Sequence, residues 1–225
     1  APPAGVPGPD RDPTARARTA LDEAVAATTG ATHRRLVARA AALRSAIDGA
    51  PAAPSSPPFA VHGDLHVGQV LRAAGRYWVV DLDGDPQIGP WLDHGARDLA
   101  HLLVSVDTVA RVVQRRLGAP DPRALAWADQ ARHQLLDAYR TGLAQAERAD
   151  LLDERLLPAF EAEQVLRELL YAAHYLPRWT YAGEGALLAR YPAARTHPCG
   201  TCTDPACGTD EEEPWTPPPF APTSS

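Results

Sequence analysis

Residues 61–86 place six chemically able side chains in one short run: His62-Gly63-Asp64-Leu65-His66-Val67-Gly68-Gln69, then Asp81 and Asp83 after Tyr77-Trp78-Val79-Val80. This stretch constrains the fold more than any other. The first part is too rich in Gly and polar residues for a helix, and the second alternates as a strand does. Two strands are expected, near 69–72 and 77–83, joined by Ala73-Ala74-Gly75. Side chains on a strand alternate with a period of two, so Tyr77, Val79, Asp81 and Asp83 should share one face. Val61, Val70 and Leu71 bracket the polar loop with apolar residues, as expected of a loop pinned to a core.

Helices should surround this hairpin. Apolar residues at helical spacing predict helices over about 14–28 and 32–48, the second with Leu36, Val37, Ala40 and Leu43 on one face. Further helices are predicted over 96–116, 122–147 and 153–175, the first carrying Leu99, Leu102, Leu103, Val106, Ala110 and Val113. The fold class is therefore α+β and predominantly helical, with one small β-hairpin. Residues 1–13 are Pro- and Gly-rich and should lack regular structure, 50–58 read as a low-complexity linker, and 192–225 read as a Pro-, Thr- and acid-rich tail. The lobe itself would span 14–191.

Phosphoryl transfer needs a base that orients the acceptor hydroxyl and a cation that holds the phosphates in line. Asp64 suits the first role. Gln69 and Asp81 suit the second, because Mg2+ prefers oxygen ligands and keeps several waters. Asp83 could add a ligand or orient the others. The bland alternative is a turn followed by the solvated face of a strand, but it does not explain all of these residues in one window.

Composition narrows the partners. The 225 residues carry a net charge of -6, which argues against a general nucleic-acid binder. No apolar run reaches the roughly 18 residues needed to span a bilayer, and no signal-peptide core is visible, so a cytoplasmic location is expected. All 22 cationic residues are Arg, and there is no Met. A chain lacking even an initiating Met is expected to be a piece of a longer product.

The segment 160–175 points to an acceptor. At 100° per residue, Gln164, Arg167, Glu168, Tyr171 and Tyr175 form one stripe, with Ala162, Leu166, Leu169, Leu170 and Ala173 opposite. Leu176-Pro177-Arg178-Trp179-Thr180-Tyr181 follows. Planar aromatics beside charged and amide groups suit a carbohydrate, with rings against its C–H faces and forks onto its hydroxyls. The plainer reading is a solvated helix face with a Glu163–Arg167 ion pair.

On these residues the chain resembles the aminoglycoside-phosphotransferase-like kinase superfamily, and within it the actinobacterial maltokinases and glucosamine kinases. The resemblance rests on the 62–72 loop, on 79–86, and on Arg97-Asp98-Leu99-Ala100 followed by Leu102-Leu103; it covers about 14–191. It implies a protein-kinase-like C-terminal lobe, with Asp64 as catalytic base, Gln69 and Asp81 as metal ligands, ATP and Mg2+ as co-substrate and cofactor, and Asp98 as a structural anchor for the loop. Asp83 and Asp85 stand where maltokinases often carry Glu. The run Glu168-Leu169-Leu170-Tyr171-Ala172-Ala173-His174-Tyr175-Leu176-Pro177-Arg178-Trp179 looks more like the glucosamine kinases, while Gln164 and Arg167 depart from the maltokinase pattern.

The resemblance thus implies ATP-dependent phosphorylation of glucosamine at its 6-hydroxyl. Gln164, Arg167, Glu168, Tyr171, Trp179 and His66 would line the sugar site, and Glu168 would face the ammonium at C2. A maltokinase or an aminoglycoside-type phosphotransferase stays open as an alternative, as does a non-catalytic sugar-binding module. The family also has a β-rich N-terminal lobe whose lysine pairs the nucleotide phosphates. This chain has neither that lysine nor a Gly-rich phosphate loop, so activity is expected to require an N-terminal lobe from the full-length chain.

The tail gathers His197, Cys199, Cys202 and Cys207, four soft ligands at spacing that Zn2+ could accept. A Cys199–Cys202 pair or an unstructured tail are the alternatives.

Overall fold

The computed structural model describes residues 12–82 and 92–193. Among the described residues, six helices carry the fold: α1 (Pro13–Ala27), α2 (Gly30–Asp48), α3 (Gly95–Leu117), α4 (Pro122–Gln145), α5 (Leu157–His174) and α6 (Thr180–Arg190). Four short strands among the same residues, β1 (Phe59–Ala60), β2 (Val70–Ala73), β3 (Arg76–Val79) and β4 (Leu92–Asp93), form two separate antiparallel pairs, β1–β4 and β2–β3. No helix among the described residues is long and apolar enough to cross a membrane.

Local chemistry sets the helix ends. Asp12 accepts from the Thr14 N–H at 2.8 Å ahead of Pro13, and Asp121 accepts from the Arg123 N–H at 2.9 Å ahead of Pro122. Each is an acidic cap followed by a Pro that needs no backbone partner. At its far end α3 closes on Gly118, whose φ of 67° is costly for any residue with a Cβ.

The two larger of three apolar clusters among the described residues hold most of the helices together. In the larger, Leu21 of α1 and Leu36, Leu43 and Ile47 of α2 pack on Val165, Leu166 and Leu169 of α5 and Leu187 of α6. In the smaller, Leu99 and Leu103 of α3 meet Leu156, Leu157 and Phe160. Helix α5 joins both clusters and is the centre of the lobe. Helix α4 buries only Ala128 and lies against the outside of α3.

The structure departs from the sequence reading in four places. The 50–58 segment is docked rather than a free linker: Ser55 donates to Asp153 through its N–H and its hydroxyl, and Ser56 meets His94 at 3.0 Å. Strand β3 stops at Val79, so Asp81 is not on its face; a φ of 62° turns the chain there. The helix expected from 153 begins at Leu157, after a 3-10 turn over Glu154–Leu156, and Ala173 is exposed rather than inward. Helix α6 was not legible, because Gly183 and Gly185 lower helix propensity. Here one of them is a packing device: a Cβ on Gly183 would stand 3.0 Å from Leu169 Cδ2, so its absence lets α5 and α6 approach closely.

Candidate active site

The loop after β1 is fixed from below by α3. Asp98 accepts from the His62 N–H at 2.7 Å and the Gly63 N–H at 2.8 Å, one on each carboxylate oxygen. One turn of helix onward from Leu102, the Ser105 hydroxyl accepts from the Val67 N–H at 3.0 Å. Between those anchors Gly63 takes a φ of 82°, which a side chain would resist. Burial pushes the Asp98 carboxyl up, and the two N–H donors pull it back down. The expected anchor is therefore present as a two-point clamp.

His62 joins the loop to the residue that follows the hairpin. Its Nε2 lies 2.9 Å from the Val80 carbonyl, and its Nδ1 lies 3.4 Å from the Asp64 N–H. A carbonyl only accepts, so Nε2 carries the proton and Nδ1 is left to accept. In this tautomer the ring braces the backbone at Asp64. His66 accepts from the Gly68 N–H through Nδ1 at 3.0 Å, and Gln69 donates to the His66 carbonyl at 2.9 Å.

Gln69 and Asp81 meet across the base of the hairpin. The Val80 N–H donates to the Gln69 carbonyl at 3.0 Å, and the Gln69 side-chain amide donates to Asp81 Oδ2 at 2.8 Å. The pair suits a hard cation, because both can offer oxygen once the amide turns its oxygen toward the ion. Two protein ligands also suit Mg2+, which fills its other positions with water and phosphate oxygens. Among the described residues, no group of three or more His, Cys, Asp or Glu converges on a metal position. Asp83 and the zinc candidates His197, Cys199, Cys202 and Cys207 lie outside the described residues.

The acceptor candidates divide into two groups. Gln164, Glu168 and Trp179 come together: the Gln164 amide approaches Glu168 Oε1 at 3.5 Å, and the Trp179 indole lies near enough to the same carboxylate to favour its ionised form. Burial raises the Glu168 pKa above the ordinary glutamate value, and the negative charge of Asp64 raises it further. The 62–69 loop and α5 thus lie near enough for the Asp64 charge to act on Glu168. Tyr171 stacks at a tilt on Tyr175, centroids 5.5 Å apart, and both rings are exposed.

Arg167 is held by a neighbour on its own helix. Its Nε and Nη2 donate to Glu163 Oε1 at 3.0 and 2.9 Å, and Glu163 is buried. This is no solvated ion pair, because Arg16 of α1 also reaches Glu163 and binds Asp93 at 2.8 Å, where Arg97 arrives as well at 3.4 Å. Arg167 enters the site as a held group at the end of a buried charge network. Spacing could not reveal that network, whose members come from α1, β4, α3 and α5.

His101 was also missed. It lies on the face of α3 that carries Asp98, three residues on, and is buried with no protein partner for either ring nitrogen among the described residues. Burial pushes its pKa well below the ordinary value, and Arg97, Arg167 and Arg16 push it the same way. Its burial favours the neutral imidazole.

The fold is similar to part of solved glucosamine kinases. Over 77% of this chain it superimposes, with a TM-score of 0.72 and 41% identity, on 45% of a glucosamine kinase solved in complex with glucosamine, ADP and inorganic phosphate. A second crystal form of a glucosamine kinase gives a TM-score of 0.70. The chain is 43% identical over 183 residues to a glucosamine kinase of Streptacidiphilus jiangxiensis, covering 79% of this chain and 42% of that protein. It is 42% identical over 140 residues to a glucosamine kinase of Mycolicibacterium smegmatis, covering 59% of this chain and 34% of that protein. No family model matches. The chain spans less than half the length of the curated relatives it matches.

Proposed function

We propose that residues 14–191 are the kinase-like C-terminal lobe of an ATP-dependent glucosamine phosphotransferase, carrying its catalytic base and its acceptor site. The observation that carries this reading is the convergence of Asp64 with Glu168 and its Trp179 and Gln164 partners, in a chain similar to glucosamine kinases. Asp64 would accept the proton of the sugar 6-hydroxyl as that oxygen bonds to the γ-phosphorus of ATP and the bond to the β-phosphate oxygen breaks. Its backbone is braced by His62, itself clamped by Asp98, so the carboxylate is aimed before the sugar arrives. Gln69 and Asp81 would hold Mg2+, which when bound neutralises charge on the phosphates.

Glu168 gives the reading its selectivity. A carboxylate whose ionisation is opposed by burial gains from a cationic ligand, and the glucosamine ammonium supplies one. Tyr171 and Tyr175 offer exposed ring faces for the sugar. His66, with Nδ1 engaged, keeps Nε2 for a sugar hydroxyl.

A nucleotide-gripping N-terminal lobe completes this proposal. Leu71, Tyr77, Trp78, Val79 and Leu82 leave apolar surface exposed on and just beyond the hairpin, beside the proposed metal pair. The test is calorimetry and turnover on the chain with glucosamine, glucose, maltose and an aminoglycoside, each with ATP and Mg2+. Selective glucosamine binding with little turnover supports the reading. Preference for maltose or the aminoglycoside overturns the acceptor, and robust turnover by this chain overturns the need for a second lobe.

A further inference from the structure

The turn that carries Trp179 is held from a distance. Pro177–Trp179 form a single 3-10 turn between α5 and α6, and Trp179 reaches from it to Glu168. A turn this short has little to fix it internally: the Trp179 N–H bonds the Leu176 carbonyl at 2.8 Å, and the Thr180 hydroxyl bonds the Pro177 carbonyl at 2.7 Å. The remaining restraint comes from the last turn of α3. There Arg115 donates Nη1 to the Arg178 carbonyl at 2.7 Å and lays its guanidinium over the Tyr181 ring, 4.2 Å from the centroid. Tyr181 is buried and meets Trp179 edge-on, with centroids 5.5 Å apart and planes 65° apart.

We propose that Arg115 is a positioning residue for the acceptor site: through the Arg178 carbonyl and the Tyr181 ring it sets the place of the Trp179 indole and thereby the orientation of Glu168. The proposal rests on the acceptor reading for its functional consequence, but the clamp itself is a claim about Trp179. Three features favour arginine here. A planar guanidinium can bond a carbonyl edge-on while stacking on a ring, which an ammonium cannot do with the same geometry. A cation in the last turn of a helix is favoured by the exposed carbonyls there. The contact also ties α3, which anchors the catalytic loop through Asp98, to the turn that anchors Glu168, so one helix fixes both sides of the site.

Two measurements on the full chain test this. The first is the indole 15N–1H spectrum, in which the Trp179 signal is identified by its loss in Trp179→Phe. In Arg115→Met the Trp179 indole proton should exchange with water about tenfold faster than in the parent, with Arg115→Lys between the two, while the Trp127 signal stays in place. An unmoved Trp179 signal in Arg115→Met overturns the clamp, and Arg115→Lys gives the same reading if the Met variant does not fold. The second is calorimetry with glucosamine. Arg115→Met should weaken binding about fivefold, and Arg115→Met/Trp179→Ala should weaken it no more than Trp179→Ala alone. Additive losses overturn the proposal. A parent chain that does not bind glucosamine sinks the acceptor reading instead, and the indole spectrum still decides the clamp.

Discussion

The β2–β3 hairpin and helix α5 each carry half of the candidate site, and they are built in opposite ways. On α5, the face behind Gln164 and Glu168 is sealed: Val165 and Leu166 are wholly buried, and Leu169 nearly so. On the hairpin, Tyr77 is 71% exposed, Trp78 55% and Leu71 51%, and Asp81 stands at an open end. One half is supported by a core on its far side; the other offers apolar surface to something further. The α5 half is therefore supported within this chain, while the hairpin half has the character of an interface.

The largest expected effect is chemical. Asp64→Asn, assayed in a protein complete enough to turn over, should lower kcat about 10²–10⁴-fold while leaving glucosamine affinity within about twofold. Equal losses in both would mean that Asp64 binds the sugar rather than acting on it. Next comes stability, which tests the contrast directly. Leu166→Ala should cost about 2–5 kcal/mol in urea unfolding, whereas Trp78→Ser should change it by less than about 0.5 kcal/mol. A comparable cost at Trp78 would show that the hairpin is already part of the core.

A smaller effect is expected at Glu168. Glu168→Gln should weaken glucosamine about tenfold and leave glucose unchanged. Glucosamine binding needs the ionised carboxylate, so affinity should fall as pH drops through the raised Glu168 pKa, above the ordinary glutamate value, and Glu168→Gln should lose that dependence. The smallest effect concerns His101. Unfolded, it titrates near the ordinary value of about 6.5; folded, it is held neutral to well below that pH. The unfolded state then binds the extra proton, so stability should decline as pH falls below about 6.5, and His101→Leu should flatten that part of the profile.

The two halves also differed in how far the sequence revealed them. The spacing of Asp64, Gln69 and Asp81 was visible because backbone connectivity sets it, and α1 to α5 were visible because their apolar residues recur at helical intervals. The supports were legible only at Asp98, and there through the resemblance rather than through spacing: Asp98 bonds residues 35 and 36 positions away in the chain, and the Arg16–Glu163 contact spans 147. The helical stripe of α5 was read correctly in its apolar half at Leu166 and Leu169, and the i,i+4 spacing also offered the Glu163–Arg167 ion pair that the fold contains, though not its burial. Residues 180–190 escaped because Gly183 and Gly185 lower helix propensity.

Asp81 has one further consequence. A residue at φ 62° is tolerated best as Gly, Asn or Asp, and a β-branched side chain would add roughly 1–2 kcal/mol of strain. The backbone has thus shortened the list of residues open to this position before any ion selects among them, and of that list only Asp brings a charge. Exchange to Asn would keep the bend and delete the charge, whereas exchange to Ala would disturb both. The position therefore separates geometry from charge with a single oxygen-to-nitrogen replacement.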